Sequence, residues 1–81
     1  MLGRAFATVA SDPAAVLSTL AAYDREFAQG RMRDERDFLE VLALRGLGRL
    51  AQARGRAEAM LARAPRGMYA PRVRRMLEQL P

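Results

Sequence analysis

Apolar positions along the chain recur at helical spacing, and five helical segments follow from them. Leu2 to Ala10 is a short helical candidate. Ser11-Asp12-Pro13 then reads as a helix start, with Asp12 as N-cap and Pro13 at the first helical position. Behind it Val16, Leu20, Tyr23 and Phe27 fall at i, i+4, i+7 and i+11, one stripe that stops at Gly30. Arg31-Met32-Arg33 reads as a linker and Asp34 as the next N-cap. The third helix, about Glu35 to Leu47, carries Phe38, Leu39, Val41, Leu42, Ala43, Leu44 and Leu47. Apolar cover on nearly all sides predicts a helix contacted on two of them. Gly46-Leu47-Gly48-Arg49 breaks it. The fourth helix, about Leu50 to Ala64, has a stripe of Leu50, Ala53, Ala57, Met60/Leu61 and Ala64, whose small residues permit close approach, and Pro65 ends it. Arg66-Gly67-Met68-Tyr69 is a loop, and Pro71 opens a fifth helix through Leu80 with Val73, Met76, Leu77 and Leu80 facing inward.

Composition agrees. Ala, Leu, Arg and Glu dominate, all strong helix formers, while β-branched residues are scarce. The predicted fold class is all-α, as a single domain of 81 residues. There is no Cys, His or Trp, and all 14 basic residues are Arg. A disulfide framework and a thiol or imidazole zinc site are excluded, as is catalysis by His, Cys or Lys. No enzyme activity, metal or cofactor is expected. No apolar run approaches the roughly 20 residues of a membrane span, and the N-terminus is too short and mixed for a secretory signal. The chain as it stands is expected to be cytoplasmic, or periplasmic if it is part of a longer protein. The all-Arg preference fits a GC-rich genome, although the planar guanidinium also binds carboxylates and phosphates in bidentate fashion.

Sliding the chain on itself by 37 residues aligns its pattern. Leu2 falls on Leu39 and Leu39 on Met76; Phe6 falls on Ala43 and Ala43 on Leu80. Ser11-Asp12-Pro13 falls on Gly48-Arg49-Leu50, and Leu20, Tyr23, Phe27 and Gly30 fall on Ala57, Met60, Ala64 and Gly67. A plain helical bundle has no reason to hold one offset. With Gly48 at the turn, Leu50, Ala53, Ala57 and Met60 behind it, and Pro65 closing the unit, the chain resembles a tetratricopeptide repeat. Leu47 to Ala53 and Met68 to Arg74 look most like the divergent repeats of the outer-membrane-assembly lipoprotein type found in bacteria. Ser11 stands where the first turn would carry Gly, Ala28 replaces the closing Pro, and Asp37-Phe38 stand near the place of the early aromatic.

The resemblance implies antiparallel helix-turn-helix units: one over about 2–30, a second over about 34–67, and a capping helix over about 71–80. It implies a scaffold, alone or within a larger bacterial regulator or envelope protein, that binds a protein or peptide in a groove. The groove positions would be Glu35, Phe38, Leu42, Arg45 and Arg49, joined by Arg72, Arg75 and Gln79. Arg45, Arg72 and Arg75 could pair with an acidic partner or a C-terminal carboxylate. The competing reading makes Phe38 and Leu42 core and the arginines a solvated face. Leu2, Phe6 and Val9 point to homo-oligomerisation through residues 2–9. The net charge of +5 and the arginines around the last loop raise nucleic acid as an alternative partner, though no recognition helix or stacking platform accompanies them. Asp34, Glu35, Asp37 and Glu40 straddle a helix start, where the dipole favours negative charge. Arg33–Asp37 and Arg36–Glu40 are spaced for i,i+4 pairs.

Overall fold

The structure is a computed structural model that describes residues 8–9, 11–26 and 33–80. The described residues are helical, with no strand among them: α1 (Pro13–Glu26), α2 (Arg33–Gly46), α3 (Leu50–Arg63) and α4 (Ala70–Gln79). The chain is all-α. The predicted Leu2–Ala10 helix and the Phe27–Gly30 end of the second lie outside the described residues, apart from Thr8 and Val9.

Each start has a local cause. The Ala15 N–H donates to Asp12 Oδ1 at 3.1 Å, so Asp12 caps α1 and Pro13 occupies the position where a missing N–H costs nothing. Asp34 is not the cap of α2. The helix begins one residue earlier, at Arg33, and Asp34 and Glu35 lie in its first turn against the positive end of the dipole. α2 ends in a Schellman turn: Arg49 N–H donates to the Leu44 carbonyl at 2.9 Å and Gly48 N–H to the Arg45 carbonyl at 3.0 Å. Gly48 takes φ +76°, which an L side chain adopts only with strain.

α2 is the middle of the molecule. Its Leu39 and Ala43 meet Val16, Leu20 and Tyr23 of α1 in one buried cluster. Its Phe38, Val41 and Leu44 meet Ala53, Ala57 and Met60 of α3 and Val73, Met76 and Leu80 in a second. Ala53 and Ala57 are fully buried, as two helices in close approach require. No polar residue is buried among the described residues.

Ion pairs fix the direction of α3 against α2. Arg56 reaches Glu40 and Arg63 reaches Asp37 and Asp34, so the later residues of one helix meet the earlier residues of the other. The same holds for α4 on α3, where Arg54 donates to the Leu80 carbonyl and Arg74 to the Pro65 carbonyl. Both pairs are antiparallel, so α4 runs parallel to α2.

Three of the four corresponding helix bounds recur at a fixed distance, the ends of α2 and α4 at Gly46 and Gln79 being the exception. Pro13 and Leu50, Glu26 and Arg63, and Arg33 and Ala70 are each 37 residues apart. Buried positions recur likewise: Val16 with Ala53, Leu20 with Ala57, Tyr23 with Met60, Leu39 with Met76 and Ala43 with Leu80. Even the turn bonds repeat, Ser11 N–H to the Thr8 carbonyl and Gly48 N–H to the Arg45 carbonyl, both at 3.0 Å.

Two glycines predict opposite outcomes. A Cβ at Gly48 meets open space but inherits the positive φ, so Gly48→Ala should destabilise the chain by about 1–2 kcal/mol in urea unfolding. Gly55 lies within α3 with nothing near a Cβ and ordinary helical φ, so Gly55→Ala should stabilise by about 0.5–1 kcal/mol.

Candidate partner-binding face

Eight positions were expected to share one face, and the structure divides them; Gln79 is exposed at the end of α4. Phe38 is buried, and its ring stacks on Tyr69 with centroids 4.8 Å apart and planes inclined by 24°. It is a core residue that sets the floor, and a partner does not reach it. Leu42 is half-buried against the same cluster. Glu35 is half-buried, while Arg45 and Arg49 are exposed at the far end of α2 and in the turn. On α4, Arg72 and Arg75 are exposed, with Arg72 held over the Tyr69 ring at 5.9 Å. The open part of the face is therefore Glu35, Leu42, Arg45 and Arg49 on one side and Arg72 and Arg75 on the other.

Tyr69 joins the two sides. Sequence reading assigned it to a loop; its place at the N-cap of α4 brings it back onto Phe38. Burial pushes its hydroxyl pKa up, the Glu35 and Asp34 carboxylates add to that, and Arg72 opposes it. Glu35, Tyr69 and Arg72 thus gather at one end of the face. Beside them Met68 is 81% exposed, the one large apolar side chain in that condition among the described residues.

The other acidic residues of α2 point elsewhere. Arg36, whose side chain is 16% exposed, donates from Nε to Asp24 Oδ1 at 2.9 Å and from Nη2 to Oδ2 at 2.6 Å, a fork-on-fork pair. Its Nη1 reaches Glu40 at 2.7 Å and Asp37 at 3.1 Å. Of the two expected i,i+4 pairs, Arg36–Glu40 forms; Asp37 pairs with Arg36 and Arg63 rather than with Arg33. Arg63 closes the set on Asp34 and Asp37, both at 2.7 Å, and Arg56 on Glu40 at 3.3 Å. The network ties α1, α2 and α3 together. Hydrogen bonding to Arg36 holds the Asp24 carboxyl below the ordinary carboxylate range, against the opposing effect of burial.

A cleft of about 480 Å³, lined by Glu40, Leu44, Gln52, Gly55, Arg56 and Ala59, opens between α2 and α3. At 100° per residue it lies on the side of α2 away from Glu35 and Leu42. Among the described residues no group of three or more acidic side chains could hold a metal ion, and no helix is long and apolar enough to cross a membrane.

Arg36→Met should cost about 2 kcal/mol in urea unfolding, between the values for surface and buried pairs, because three carboxylates lose their shared partner. A depressed carboxyl pKa contributes stability above its unfolded value near 4, lost as pH falls through the lower folded value. The urea midpoint should therefore drop as pH is lowered below about 4. Asp24→Asn should flatten that drop while lowering the midpoint at pH 7.

No family model, curated protein or solved structure matches the chain.

Proposed function

We propose that this chain is a non-enzymatic interaction scaffold of tetratricopeptide-like units that takes a protein or peptide partner along the face shared by α2 and α4. The observation that carries the reading is the recurrence of helix bounds, buried positions and turn bonds at 37 residues. In such an array α1 and α3 are the outer helices of successive units, and α2 and α4 the inner helices that line the concave side. α4 then has the character of a terminal helix. Where α2 presents Phe38 and Val41 to its neighbours, the positions 37 residues on are Arg75 and Glu78, both exposed. A polar outer face is what ends an apolar stack.

The proposed dimer surface, residues 2–9, lies outside the described residues except for Thr8 and Val9. Val9 is half-buried against the α1–α2 cluster.

Peptides selected from a random displayed library against the whole chain test the reading. Binding should shift the backbone amide signals of Glu35, Leu42, Arg45, Arg49, Arg72 and Arg75. Shifts confined to the outer faces of α1 and α3 would reject it.

A further inference from the structure

Resting on the scaffold reading, we infer that the α2–α4 face takes an acidic polypeptide segment, held by Arg45, Arg49 and Arg72 beside Leu42. The first support is where the charge goes. Three arginines and four carboxylates close on one another in the Arg36 network, which is thus left at −1, so the rest of the chain carries +6 against the net +5. Arg45, Arg49 and Arg75 make no ion pair among the described residues, and Arg72 has only the Tyr69 ring. Glu35 is the one carboxylate among the six open positions of that face. From Glu35 to Arg49 it is about 20 Å long, the reach of roughly six extended residues or four helical turns. Guanidinium groups with free donors along such a strip suit carboxylates, which they bind through paired hydrogen bonds.

The described acidic residues of a second copy do not supply that partner, and Glu35 is half-buried near Tyr69. The clustered carboxylates, Asp24, Asp34, Asp37 and Glu40, are already bonded inside the network, and Asp12 caps α1. Glu58 and Glu78 are single exposed residues on different helices. Single-stranded nucleic acid is disfavoured by the three described aromatic residues. Such binders stack bases on open rings. Here Tyr23 and Phe38 are buried, and Tyr69 is half-buried with Phe38 stacked on it and Arg72 over it.

The same displayed library supplies the test, read for composition and charge dependence. The selected peptides should carry an excess of Asp and Glu over Lys and Arg. A selected acidic peptide, titrated against the whole chain, should bind about tenfold more weakly to Arg45→Glu or Arg72→Glu. It should change less than about twofold with Arg25→Glu, which makes the same change in net charge on the exposed side of α1. Arg45→Glu keeps the test valid if Arg72→Glu disturbs Tyr69, and far-ultraviolet circular dichroism checks that each variant is folded. Equal weakening by Arg25→Glu overturns the inference, because net charge alone would then explain binding. So does a short oligonucleotide that displaces the peptide at lower concentration than the peptide itself binds. Selected peptides without acidic excess that still shift the α2 and α4 amides overturn this inference and leave the scaffold reading standing. Peptides that shift neither helix defeat both.

Discussion

α2 cannot be covered by one neighbour. Its residues Phe38, Leu39, Val41, Ala43 and Leu44 are all buried, and they point in directions that span most of the helix circumference. A helix with that demand must be clasped from two sides. α1 supplies one side and α3 with α4 the other, so the two apolar clusters meet at the middle helix, with Leu17 of α1 packed against both. The remaining architecture follows: a tight turn to return α3, alanines on α3 to let it come close, and a last helix to cover Phe38 and Met60.

The polar part of the structure obeys the same geometry. Between its two apolar sides, opposite the Glu35–Leu42 strip, α2 carries Arg36 and Glu40, flanked by Asp37. These side chains are trapped between helices, where an unpaired charge is costly. Arg36 resolves the problem by serving three carboxylates at once, and its planar fork lets it take both Asp24 oxygens. Four of the nine acids are thereby used for internal joints, while Arg45, Arg49, Arg72 and Arg75 stand on the surface.

Much of this was legible in the sequence. Asp12-Pro13 gave the start of α1, Gly48 the turn after α2, and the crowding of apolar residues from Phe38 to Leu47 the two-sided burial. Each is a local signal with one physical meaning. Other features depend on distant residues. Asp34 looks like an N-cap because its side chain suits one, yet its partner Arg63 lies 29 positions away and the helix begins ahead of it. Phe38 fits both a groove and a core, and only the return of Tyr69 from the far end of α3 decides between them. Asp24 and Arg36 lie on separate helices, so no spacing rule links them.

The Tyr69 ring has one more consequence. The chain has no tryptophan and two tyrosines, and Tyr23 is buried in the α1–α2 cluster away from the face. Tyrosine absorbance and emission therefore come from two rings in different settings. One is enclosed by α1 and α2, and the other lies at the seam where α2 meets α4, with Arg72 across it. Any molecule that draws Arg72 away changes the surroundings of the second ring alone. The fold carries its own optical reporter at the seam, with no added label.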